Sequence, residues 1–146
     1  MRKLSVAFVV ILVLLSGCGK SLDRNWNYTP ASDPVKTVES AIQGEERKDY
    51  CSSVAVMAVT ANQEETSRVI EMYENYQNGW TKNYLEEHMR AIYASYHVEY
   101  DGTKTFQPSG DIERFFLLLL NDTTGKWEIW SSTTNDAPLS EGVPAG

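Results

Sequence analysis

Ile92-Tyr93-Ala94-Ser95-Tyr96-His97-Val98-Glu99-Tyr100-Asp101-Gly102 is the stretch on which the fold turns. Ile92, Ala94, Tyr96, Val98 and Tyr100 alternate with Tyr93, Ser95, His97 and Glu99. A period of two places these sets on opposite sides of a strand, one side greasier than the other. Asp101-Gly102 then signals a hairpin, because glycine readily takes the positive φ such turns use. Downstream, Thr103 to Phe106 is expected to return as a short strand, broken by Pro108 and Gly110. Ile112 to Leu120 is the most hydrophobic run after residue 17, and Asn121-Asp122-Thr123-Thr124-Gly125 turns it into Lys126-Trp127-Glu128-Ile129-Trp130-Ser131. An antiparallel meander follows from this order.

Upstream the period is helical. Asp33 is a good N-cap and Pro34 suits the first helical position, where its missing N–H would be unpaired. Val35, Val38, Ala41 and Ile42 form one apolar stripe, and Gly44 is a plausible C-cap. After the charged break Glu45-Glu46-Arg47-Lys48, Asp49 is expected to cap a second short helix that buries Tyr50, Val54, Met57 and Ala58. Val69, Ile70, Tyr73 and Tyr76 mark a further helix between Gln63 and Asn78, whereas Thr81 to Met89 shows no clear stripe. Helices followed by strands predict an α+β domain, with N-terminal helices packed on one face of a curved antiparallel sheet.

The N-terminus carries a different signal. Arg2 and Lys3 precede an unbroken apolar run from Val6 to Leu15, which ends in Leu15-Ser16-Gly17-Cys18. A basic start, a short apolar core and small residues describe a secretory signal peptide. The run is too short for a membrane span, which needs about 20 apolar residues. The box ending in cysteine resembles the lipobox of bacterial lipoprotein precursors. That resemblance implies cleavage before Cys18, acylation of Cys18 with diacylglycerol and then with a further chain such as palmitate, and anchoring in the bilayer on the extracytoplasmic side of the cell envelope. Two or more acyl chains hold stably where one holds only marginally. The expected organisation is a signal peptide over 1–17, the lipidated cysteine and a flexible tether over 18–32, a domain over 33–133 and a frayed tail over 134–146. Trp26 and Tyr28 are odd in a pure tether; they either dock on the domain or rest at the lipid surface.

Charge and cysteine usage narrow the partners. The chain carries 13 basic against 20 acidic residues, a formal net of −7, and residues 1–17 hold two of the basic ones and no acidic one. Such a surface repels nucleic acid, so none is expected as a partner. With Cys18 lipidated, Cys51 alone remains and has no internal disulfide partner; a small buried hydrophobe is its expected role.

The order of elements resembles the NTF2-like (cystatin-like) fold family, found in many small bacterial lipoproteins. The match rests on the long first helix from Asp33, the Lys48-Asp49-Tyr50 step and the closing hairpin Leu117 to Ile129, in which polar residues precede Gly125-Lys126-Trp127. It implies a cone between helix and sheet. Relatives of that shape include isomerases, dehydratases and hydrolases, and others with no enzymatic role, so the fold alone does not transmit a function.

The chemistry in the residues is sparse. His88 and His97 are nine apart, so no metal-ligand spacing exists and neither metal nor cofactor is expected. His88, in Glu86-Glu87-His88, is expected in solvent, and His97 on the side of its strand away from the core. An acid or base held in an apolar cone would come from Tyr50, Tyr96, Asp111 or Glu113, none of them marked by neighbours. No catalytic residue is assigned. The expected role is a membrane-anchored binding or protein-interaction module; the alternatives are an NTF2-like enzyme of isomerase, dehydratase or hydrolase type, or an accessory part in envelope assembly. One feature favours interaction. Ile112 to Leu120 is apolar on both sides, and a strand covered by helices on one side only should alternate apolar with polar. A second cover is therefore needed, from the tether, the tail, a second copy in a homodimer or another envelope protein. Tyr93, Phe115, Leu117, Leu119 and Trp130 form the candidate interface, because aromatic residues are enriched where proteins meet.

Overall fold

The computed structural model describes residues 26–74 and 79–134. Among the described residues three helices pack on one four-stranded antiparallel sheet, an α+β architecture. The first helix, α1, spans Pro34–Gly44 and starts as its sequence dictates, with the Asp33 carboxylate accepting from Val35 N at 2.9 Å. Its stripe of Val38, Ala41 and Ile42 is wholly buried. Gly44 does not end the helix in a left-handed cap; its φ is −61° and the chain runs on into a 3-10 turn, Glu45–Arg47. Glycine is required there by contact instead, since a Cβ would fall 1.9 Å from the carbonyl oxygen of Asn27.

Where a second short helix was expected, Cys51–Ala61 forms strand β1. Val54, Val56, Val59 and Thr60 are branched at Cβ, which favours the pleated conformation. Pairing with β2 (Met89–Tyr100) decides the outcome: Val54 sits opposite Val98 and Val59 opposite Ala94, both half-buried against the α1 side, while Met57 falls at a register shift and stays exposed. Between β1 and β2 the chain forms α2 (Gln63–Glu74), led by the Asn62 side chain accepting from Glu65 N, and α3 (Lys82–His88), capped by Thr81. Strand β3 (Gly110–Asn121) and strand β4 (Lys126–Thr134) complete the sheet in the order β1-β2-β3-β4. The return from β2 is a loop over residues 101–109 rather than a strand from Thr103, and β3 begins where Gly110, at φ 149°, turns the backbone back beside Val98. The last hairpin closes at Gly125, φ 69°, after Asn121 Oδ1 has accepted from Thr123 N.

The helices do not share one face, contrary to expectation. The even-numbered residues of β2 and β3, among them Ile92, Tyr96, Phe116 and Leu118, face α1. Met89, Ala91 and Leu117 have the opposite parity and face Val69, Ile70, Tyr73 and Leu85 of α2 and α3. Strand β3 is therefore covered on both sides by its own chain. A second difference concerns residues 26–31, read from sequence as tether. They lie along the outer edge of β4: Ala31 O accepts from Trp127 N at 2.8 Å, the Tyr28 hydroxyl accepts from Ile129 N at 3.1 Å, and Trp26 stacks edge-on against Phe116. The expected signal peptide, Cys18 and the expected tail lie outside the described residues, apart from the first tail position.

Candidate ligand cleft

Where α1 ends over the far half of the sheet, the two layers separate and leave a cleft of about 810 Å³. Glu45 and Lys48 come from the turn after α1, Tyr96 and Tyr100 from β2, Ile112 and Arg114 from β3, Ser132 from β4, and Trp26 from the N-terminal segment; the 107–109 stretch forms the rim. Register explains the convergence. Tyr96 pairs with Ile112 and Ala94 with Arg114, so every second residue of two neighbouring strands points into the same space.

Glu45, only 5 % exposed, holds one end of the cleft together. Lys48 Nζ lies 2.8 Å from its Oε1, and the Tyr100 hydroxyl donates to its Oε2 at 3.1 Å. Burial opposes the charge on Lys48, but the hydrogen bond and attraction to Glu45 prevail, and its pKa stands above the usual lysine value. Burial, then the Glu45 charge, pushes the Tyr100 phenol far up. Tyr96 is raised as well, chiefly by burial, with Arg114 pulling the other way. Both phenols stay neutral and Lys48 stays charged at neutral pH.

Arg114 holds the other end. Its guanidinium carbon lies 5.4 Å from the centre of the Trp26 ring, and Nη1 donates to Ser132 Oγ over a long 3.4 Å. Ser132 Oγ also accepts from Trp26 Nε1 at 3.1 Å. Arg114 Nε is sealed from solvent without a hydrogen-bond partner.

Of the four acid–base candidates read from sequence, the structure brings Tyr50 and Tyr96 to the cleft, while Asp111 borders its rim with its carboxylate turned to His97 on the outer face. Glu113 belongs to the opposite face, where it accepts from the Tyr93 hydroxyl. The residues of the expected interface do share that outer face. Leu117 is wholly buried there, Phe115, Leu119 and Trp130 pack half-buried around it, and Trp130 Nε1 donates to the Tyr73 hydroxyl at 3.2 Å. The second cover expected from outside the domain is supplied by α2 and α3. Tyr93 lies half-buried with its ring 5.7 Å from that of Phe115.

The histidines differ from one another. His97 points away from the α1 core, with Nδ1 2.6 Å from Asp111 Oδ1 and Nε2 2.6 Å from Glu99 Oε1. His88, expected in solvent, is 8 % exposed; Nδ1 meets the Tyr84 carbonyl at 2.8 Å and Nε2 meets Asp122 at 2.6 Å. Cys51 is half-buried and donates to Ser53 O, and burial raises its pKa. Among the described residues no group of three His, Cys, Asp or Glu side chains could hold a metal ion, and no helix is long and apolar enough to cross a membrane.

Sequence reading missed Glu45, Lys48, Tyr100, Ser132 and, above all, Arg114. A signal for the last was present: Arg114 shares the parity of Ile112, Phe116 and Leu118, so a cation was bound to point inward. No family model matches the chain, and no curated protein or solved structure matches it.

Proposed function

We propose that this chain is a lipoprotein, anchored through acylated Cys18 on the extracytoplasmic side of a membrane, whose NTF2-like domain binds a ligand in the cleft between α1 and the sheet. The observation that carries the binding reading is the cleft itself: an opening of about 810 Å³, walled by Trp26, Tyr96 and Tyr100 and furnished with a few polar groups. Small-molecule sites combine an apolar wall with a small number of placed polar groups in this way. The layered α+β arrangement with α1 over the mouth of the sheet supports the NTF2-like reading, and α2 and α3 on the far side are an addition to its plain pattern.

Binding is favoured over catalysis by the protonation states. A general acid or base works best with a pKa near the working pH. Against the effect of burial, the Glu45 contact raises Lys48, and burial raises Tyr96 and Tyr100, which moves all three groups away from neutrality. Glu45 is engaged by two donors, Lys48 and Tyr100.

Two measurements test the proposal. In cells given an alkyne-tagged palmitate, the parent chain takes up label and Cys18→Ser does not; equal labelling of both overturns the anchor. In nuclear magnetic resonance screening of aromatic fragments, shifts should gather on Trp26, Tyr96 and Tyr100 and disappear in Trp26→Ala. Fragment shifts spread evenly over the surface, or none at all, would remove the cleft from consideration.

A further inference from the structure

We infer that the ligand of this cleft is an aromatic carboxylate, its anionic group held by Arg114 and its ring by the aromatic wall. The inference rests on the binding reading above and adds the chemical class.

The argument begins with the cations in the cleft. Lys48 is neutralised by Glu45 at 2.8 Å. For Arg114, no carboxylate among the described residues lies within ion-pairing distance. A half-buried guanidinium without a counter-ion is costly, because the protein has removed part of its water and given little back. The replacements are weak: one hydrogen bond of 3.4 Å, the neighbouring Tyr96 hydroxyl, and the face of Trp26. Nε has no partner at all. Buried donors of native proteins are satisfied as a rule, and this guanidinium lines the cleft with that rule unmet. The guanidinium fork fits a planar carboxylate with two parallel bonds.

The surroundings select the rest of the ligand. Trp26, Tyr100 and Ile112, all part-buried, line the open space together with the almost wholly buried Tyr96, so a flat apolar body is favoured over a fully polar one. Polyanions are disfavoured, since Glu45 also lines the cleft and the chain is acidic overall. A single negative charge on an aromatic ring meets all of these conditions.

The full chain in detergent, titrated calorimetrically with naphthalene-2-carboxylate and its neutral carboxamide, tests this. A charge-assisted pair in place of a neutral one should favour the carboxylate by about tenfold or more. Arg114→Gln, checked for an unchanged circular dichroism spectrum, should bring both compounds to the same weak affinity. Arg114→Lys should keep a smaller preference for the charged compound, and it serves as the variant if the glutamine form does not fold. Equal binding of both compounds by the parent chain, lost in Trp26→Ala, overturns the carboxylate assignment while leaving the cleft a binding site. Binding of neither compound overturns the assignment; failure of the neutral fragments at Trp26 as well takes the binding reading with it.

Discussion

The two faces of the sheet are built from one pair of strands and held in different ways. On the α1 face, eleven buried residues run from Val38 to Ile129 and the N-terminal segment adds Trp26 and Tyr28 along the edge. On the other face seven buried residues gather under two short helices, α2 of 12 residues and α3 of 7. Helices this short are marginal alone and depend on the face they bury. Beyond them the outer face turns polar, with Ser95, His97, Asp111 and Glu113 on view. The larger face therefore defines the domain, while the smaller face is a patch that can open by itself, since stability is not uniform across a fold.

Breaking the larger face should have the greatest effect. Phe116 is wholly buried at the centre of the α1 side, against Trp26. Phe116→Ala should cost about 4 kcal/mol of unfolding free energy in urea titration and loosen both faces together. A loss under about 1 kcal/mol would mean that the α1 side is not the main core.

Leu85→Ala should separate the faces. Leu85 is wholly buried in the smaller cluster, and its truncation should cost about 3 kcal/mol. Amide exchange should quicken over 63–74 and 82–88 while the amides joining β2 to β3 remain protected. Uniform quickening across the sheet would show that the two faces open as one unit.

The smallest effect is set by pH. The acceptors around His88 are a backbone carbonyl and the Asp122 carboxylate, so only the imidazolium can donate to both. Burial disfavours that charge, but the bonds to Asp122 and Tyr84 outweigh it and raise the pKa above the usual value near 6.5. A raised folded-state pKa adds stability that is complete below the unfolded value and fades as pH rises through the folded one. Stability of α3 against the β3–β4 turn should fall as pH climbs from about 6 into the alkaline range. His97, exposed between two carboxylates, shifts in the same direction, so the comparison is drawn in a His97→Gln background. There His88→Gln should flatten the melting temperature against pH. An unchanged slope would show that His88 does not hold the smaller face.

Much of the larger face was legible in the sequence. The alternation in β2, the cap at Asp33 and the turn at Asn121 are local devices, and local devices are written in consecutive residues. Strand β1 was not legible, because Val54, Met57 and Ala58 also fit helical spacing and only the pairing with Val98 and Ala94 decides the matter. The second cover was half legible. Leu117 and Leu119 announce a second apolar face, and Val69, Ile70 and Tyr73 announce a helix in search of one, but nothing between them states that they meet. The cleft was the least legible part, since Glu45, Arg114 and Trp26 are brought together from three distant segments. Arg114 alone could be placed, by its parity within β3.

Trp26 has a mechanical consequence. It is the first of the described residues, and an indole hydrogen bond to Ser132, a ring laid on Phe116 and the Arg114 guanidinium over its face are among the contacts that hold it. Along the described residues these contacts come before those of Tyr28, the Ala31 bridge and every strand pair. Peeling breaks contacts one at a time, whereas shearing two long strands must break many at once. Peeling of residues 26–31 from that end would take away one wall of the cleft and leave the sheet behind it intact. With the anchor and the ligand proposed above, tension on this segment would loosen the grip on the ligand before it unfolded the sheet.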